Sequence, residues 1–325
     1  PLAVVQAPLA TETLVPVATI TPSATATIAP TITPSPLPSP TPTPTQQPTE
    51  TAVVARVAGI SAETHLDPNT IVEDSTLLTP QPTPTLPLPT PYPSGDYTER
   101  VAILMYHYLE VPPSNADKYR LDLSVEPDEF RKQLTYLRDN GYTTISLYDL
   151  ARAMANQQEL PPKPIILTFD DGYLNNYTNA FPLLKEFGMT ATFFIITDLP
   201  DIQHPEYASW SMLEEMAAAG MSIEIHTKSH RSLADREFDY LKEEIAGAQE
   251  IIAFHTGKLP RFLSYPGGTY DDATIEAVRE FDLWGALTTK YGYTHDYWDR
   301  YEMTRVRIRH STTIDFFGEW IEGER

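Results

Sequence analysis

Pro164-Ile165-Ile166-Leu167-Thr168-Phe169-Asp170-Asp171-Gly172 is the stretch on which the fold turns. Pro164–Phe169 is a nearly continuous apolar run of strand length, without the alternation of a half-exposed strand. Such a run suits a strand covered on both faces, as in a parallel sheet flanked by helices. It ends abruptly on two adjacent carboxylates and a glycine. Two carboxylates at a buried strand end repel each other and are costly to desolvate. A cation bound by one would relieve that cost and leave the other free to act as a base. A polar Asp-Asp-Gly turn chosen only for its backbone geometry explains the same three residues.

Working outward, short apolar runs alternate with amphipathic stretches. On the N-terminal side, Val101–Tyr106 is strand-like. A helix starts near Pro127, with Phe130, Leu134 and Leu137 on one face, and stops at Gly141. Thr143–Ser146 is a short strand, and a helix follows near Tyr148–Ala155. On the C-terminal side the expected helices are 176–187, 210–219, 235–255 and 271–281. Between and after them come the strands 190–196, 221–225, 262–265, 283–288 and 304–308. This βα alternation predicts an α/β fold, a distorted (β/α) barrel of about seven strands, rather than a doubly wound sheet. In such barrels the polar residues at strand ends collect at one rim.

Three further strand ends carry candidate chemistry. His226-Thr227-Lys228-Ser229-His230 follows the expected strand 221–225, and two imidazoles four residues apart can meet one cation. An isolated pair of this kind reads first as two surface histidines. With Asp171 from a neighbouring strand, the set becomes two imidazoles and a carboxylate with room for water, which suits a catalytic zinc site. In Ser264-Tyr265-Pro266-Gly267-Gly268 a strand runs into a turn whose backbone N–H groups could face a developing oxyanion, or which serves only as a tight turn. Tyr106-His107 ends the first strand. His107 suits a proton donor to a leaving amine, with a packed barrel histidine as the alternative.

Composition divides the chain. Of 31 prolines, 20 precede residue 101, where Arg56 and Arg100 are the only Lys or Arg residues. Thr/Pro/Ser-rich repetition of this kind lacks the apolar residues needed to offset ordering entropy. Residues 1–96 are therefore expected to be a disordered stalk or linker and 97–325 the catalytic domain. Fully extended, the stalk would reach on the order of 200–300 Å, suited to tethering an exported enzyme at a bacterial surface. Val53-Val54 and Ile60 interrupt the proline pattern within 51–78. The net charge of −21 argues against a nucleic-acid partner. There is no cysteine, hence no disulfide or thiol chemistry. No run reaches transmembrane length, and a start at Pro1 is compatible with a removed signal peptide or anchor.

Thr168–Gly172 and His226–His230, with Ala191-Thr192-Phe193-Phe194 and Ser264–Gly268, resemble the motifs of the polysaccharide deacetylases, the NodB-homology domain of the fourth carbohydrate esterase family. The resemblance covers most of residues 101–290. It implies a divalent metal, usually zinc, held by Asp171, His226 and His230. It also implies Asp170 as general base, and an oxyanion or substrate contact at Gly267 and Tyr265. The family's arginine ahead of the proline turn, which orients the catalytic aspartate, is replaced by Ser264, and Arg261 lies three residues too early. The late Leu-x-His motif is also absent. Met105-Tyr106-His107 resembles the subgroup in which an early Tyr-His supplies the general acid. The implied activity is removal of acetyl groups from N-acetylglucosamine-containing polysaccharide. O-acetyl ester hydrolysis on xylan or another glycan is one alternative, and a non-catalytic wall-glycan-binding module another.

Overall fold

Pro164–Phe169 forms as a strand and becomes the hub of an eight-stranded sheet in which every pairing is parallel. The computed structural model describes residues 87–92 and 97–322. The sheet order is Gly285–Leu287, Phe262–Ser264, Ser222–Ile225, Thr192–Ile195, Pro164–Phe169, Ala102–Tyr106, Val306–Arg307. The short Thr143–Thr144 strand pairs with the start of Pro164–Phe169, beside Pro164 and Ile165. A parallel bridge from Leu287 to Met303, just ahead of Val306–Arg307, brings the two ends of the sheet together. The architecture is the α/β barrel that the alternation predicts, seven strands along the main path and the eighth a two-residue addition.

Period-two alternation sorts the strand residues into two cores. Ile103, Ile166, Phe194, Phe262, Trp284 and Leu287 form the cluster inside the barrel. Leu104, Tyr106, Leu167, Phe169, Phe193 and Ile225 face the helices instead. Phe169 stacks on Tyr106 at 5.1 Å and on Phe193 at 4.8 Å, tying three adjacent strands together just below the rim.

The helices form where caps and apolar spacing place them. Pro127–Asp139 begins with Pro at its first turn followed by Asp128 and Glu129, which complement the helix dipole, and it buries Phe130, Gln133, Leu134 and Leu137. Leu147–Met154 starts from a Ser146/Asp149 capping box, and Asp272–Glu280 from an Asp271/Thr274 one. The helix expected over 176–187 divides. Asn176–Ala180 is π-helical and Phe181–Phe187 is α-helical, ending at left-handed Gly188. The π-helical turn allows Asn176 to donate to the His107 carbonyl (2.7 Å) and Asn179 to the Leu109 carbonyl (2.7 Å).

Most of the expected stalk, with 51–78, lies outside the described residues. Its described part, 87–92, packs on the barrel. Leu88 rests against the inner cluster, and buried Pro89 accepts a hydrogen bond from the Tyr297 hydroxyl (2.9 Å). Packing thus starts ahead of residue 97. No described helix is long and apolar enough to cross a membrane.

Candidate active site

Asp170 and Asp171 leave the end of the Pro164–Phe169 strand in different directions. Asp170 continues the inward face set by Ile166 and Thr168, and its N–H still donates to the Tyr106 carbonyl (3.0 Å). Asp171 has φ +76° and Gly172 +77°, so the chain turns sharply immediately after the strand. A left-handed aspartate is uncommon and mildly strained, and such residues gather at functional sites.

Asp171 meets both histidines of the expected pair. Its Oδ1 lies 3.1 Å from His226 Nε2 and 3.3 Å from His230 Nε2. The three candidate ligand atoms lie within 4.8 Å of one another. The Nδ1 of His226 donates to the Ser264 carbonyl (2.7 Å), which fixes the tautomer and leaves its Nε2 lone pair facing Asp171. Asp171 Oδ1 is buried and accepts no hydrogen bond. Two imidazole nitrogens and a carboxylate oxygen that converge without a hydrogen bond to that oxygen suit a cation, and this donor set fits zinc. His230 is partly open, so the cluster has a solvent side. Burial favours neutral Asp171, but His226, His107 and His230 outweigh it and hold the carboxyl down at about 2. Burial opposes charge on His226 too, yet Asp171 and Asp170 raise its pKa overall.

The turn carrying the histidines is braced from behind. His230 and Thr227 both have positive φ. Glu244, buried on the Phe238–Thr256 helix, accepts from the N–H groups of Lys228 (3.1 Å) and Ser229 (2.9 Å). The Ser229 hydroxyl donates to it as well (2.5 Å), and nothing in the sequence marks Glu244 for this task, because its partners lie 15 and 16 residues away.

Asp170 is gripped by a residue that sequence reasoning missed. Arg305 donates from both terminal nitrogens to the two oxygens of Asp170 (2.8 and 2.7 Å), and to Ser264 Oγ (2.9 Å). Its side chain is fully buried, and its Nε donates to the Thr288 carbonyl (2.9 Å). Burial works against the charge on Asp170, but Arg305 outweighs it and holds the carboxyl well below the usual range. The arginine missing at Ser264 thus enters from the opposite end of the chain. Arg261, by contrast, pairs with Asp282 (2.6 Å). The signal was present in Arg305-Val306-Arg307-Ile308-Arg309, where arginines alternate with apolar residues and so share one strand face.

His107 stands at the end of its strand, close enough to Asp171 and Asp170 to feel both charges. Burial lowers its pKa and the two aspartates oppose that shift. Its Nδ1 is buried without a hydrogen-bond partner. Gly267, at φ +60°, sits in the turn after Ser264 with open space where a Cβ would stand. Tyr265 is placed differently. Its ring is buried, its hydroxyl donates to the Tyr301 carbonyl (3.0 Å) and its N–H to the Leu287 carbonyl (3.0 Å). Both donors are engaged inside the fold, so Tyr265 supports the turn and does not face a substrate. A cavity of about 340 Å³ opens over Asp171 and His230, walled by Tyr173, Tyr207, Asp198 and Leu199.

Fold and site together define a class: a parallel α/β barrel with an Asp-His-His cluster at its carboxyl rim, beside an arginine-clamped aspartate. The family model described as polysaccharide deacetylase matches residues 157–285. YxkH of Bacillus subtilis, assigned to the same family, is 30% identical over 223 residues, spanning 69% of this chain and 76% of YxkH. A Staphylococcus epidermidis protein named poly-β-1,6-N-acetyl-D-glucosamine N-deacetylase is 24% identical, covering 61% of this chain and 72% of its own length. The solved structure of the Streptococcus pyogenes deacetylase PplD with acetate is 27% identical, with a TM-score of 0.65, covering 69% of this chain and 99% of PplD. The chain belongs to the polysaccharide deacetylase family.

Proposed function

We propose that the protein hydrolyses the acetamide of N-acetylglucosamine units in a polysaccharide, releasing acetate, with one divalent metal, Zn2+, held by Asp171, His226 and His230. The convergence of two imidazole nitrogens on one unbonded carboxylate oxygen, beside a second carboxylate under separate control, carries this reading. Bound there, the ion supplies Lewis-acid polarisation of the acetamide carbonyl and acidifies water. Asp170, kept ionised and aimed by Arg305, takes a proton from the attacking water. The Gly267 N–H donates to the oxyanion that develops on the carbonyl oxygen. His107 gives a proton to the amine as the C–N bond breaks, leaving a free amino sugar and acetate.

The relative named as a poly-N-acetylglucosamine N-deacetylase supports an N-acetylated polymer as substrate. The Pro/Thr-rich composition of residues 1–96 supports an extracellular or cell-surface location of bacterial type, with that stretch as the tether. Metal analysis of the purified protein, paired with acetate release from N-acetylated and O-acetylated glycans, tests the reading. Asp171→Ala is expected to lose metal and turnover together. Asp170→Asn is expected to keep the metal and lose at least about 10²-fold in kcat, the scale of a general base. Wild-type turnover in Asp170→Asn would remove the base assignment, and faster release from O-acetyl esters would replace the amide reading.

A further inference from the structure

Arg305, Arg307 and Arg309 lie at i, i+2 and i+4 on one face of the last strand and its extension. All three line a cavity of about 480 Å³ together with Thr289, Tyr291 and Trp320. Two have partners: Arg305 grips Asp170, and Arg309 is paired with Asp122. Arg307, between them, is half-buried, and its side chain has no hydrogen bond or ion pair among the described residues. Burial and the charges of Arg309 and Arg305 press its pKa downward, outweighing the opposing charges of Asp170 and Asp122. A half-buried guanidinium flanked by two others is costly unless an anion joins it. It also stands out in a chain whose net charge is −21. Arg305 both lines this cavity and clamps Asp170, so one side chain joins the cavity to the candidate base. Tyr291 and Trp320 supply aromatic surface for a sugar ring.

We propose that Arg307 binds an anionic substituent, a carboxylate or phosphate ester, on the glycan chain next to the sugar being deacetylated. The site thereby selects acidic chains. This rests on the deacetylase reading above. A planar guanidinium offers two parallel donors to either anion.

The test uses the full-length, metal-loaded protein and three chains of equal length. One is a neutral N-acetylglucosamine oligomer. In the second, alternate sugars carry a 3-O-lactyl carboxylate, and the third is linked through phosphodiesters. The wild type should favour an acidic chain through a lower KM, and the arm that wins identifies the anion. Arg307→Gln should reduce the acidic-to-neutral ratio of kcat/KM about ten-fold, the scale of one charge-assisted hydrogen bond. Arg307→Lys should retain part of the preference. Tyr291→Glu, at an exposed position, should also reduce it by placing a carboxylate in the cavity. A wild type without preference, or an Arg307→Gln loss equal on all three chains, overturns the proposal. Calorimetric binding of the acidic chains to wild type and Arg307→Gln separates the two readings. If no chain is deacetylated but Arg307→Gln binds acidic chains more weakly, the activity fails and the anion site stands. Equal binding by both proteins sinks the site.

Discussion

Asp170 and Asp171 are sequence neighbours with opposite surroundings: one faces a buried guanidinium, the other two imidazoles. In the proposed reaction that separation assigns one as base and the other as ligand, and it depends on Arg305. Removing one member of a buried ion pair leaves an uncompensated charge, at a cost of about 3–5 kcal/mol. Arg305→Met should therefore lower stability by about that amount in chemical denaturation. The sign of its pH effect follows from the depressed Asp170 pKa. A base held low stays ionised as pH falls, so losing the arginine raises that pKa and moves the acid limb of the kcat/KM profile to higher pH. Arg305→Lys should recover charge but not the two-pronged geometry, with kcat recovering less than stability. An unchanged acid limb in Arg305→Met would show that Asp170 is not the titrating base.

At the level of elements, the site stands on strands held together by buried polar groups. Glu224, on the Ser222–Ile225 strand, accepts from the N–H groups of Arg261 and Phe262 (both 2.8 Å), the Tyr148 hydroxyl (2.9 Å) and Ser222 Oγ (2.7 Å). It thereby ties two strands to a helix. Burial, only partly offset by these bonds, pushes its pKa up to about 7. An acid raised on folding binds its proton more tightly in the folded state, so stability is greatest below the unfolded value and declines as pH climbs towards about 7. Glu224→Gln should flatten this decline between about pH 5 and 7, worth about 2–3 kcal/mol at most. Thermal melts of both proteins across that range check it, and parallel slopes would refute the assignment. Gly268 offers a steric test. At φ +73°, an added Cβ would stand 2.3 Å from Thr289 Oγ1, so Gly268→Ala should destabilise the protein by about 1–3 kcal/mol.

For the molecule as a whole, packing begins within the proline-rich sequence. Leu88, Pro89 and Thr90 are anchored by apolar contact and by hydrogen bonds from Tyr297 and Gln157. A protein beginning at residue 97 should melt roughly 2–6 °C below one beginning at residue 87, since a buried contact and a hydrogen bond together contribute about 1–2 kcal/mol. Equal melting temperatures would mean that the segment rests on the barrel without stabilising it. A chelator should lower the melting temperature as well, because a metal that binds only the folded cluster stabilises it by mass action.

The barrel and the Asp171/His226/His230 set were legible in the sequence because each follows from local pattern. A doubly buried strand must be apolar, and a polar residue at its end has only the rim to occupy. The helix boundaries were legible within a few residues for the same reason. Arg305, Glu244 and the engagement of Tyr265 were decided by tertiary structure. Arg305 meets Asp170 across 135 residues only because the closing strand lies beside the first one, which in turn pairs with Pro164–Phe169. Periodicity states which face a residue shares, but the partner across that face is set by sheet order.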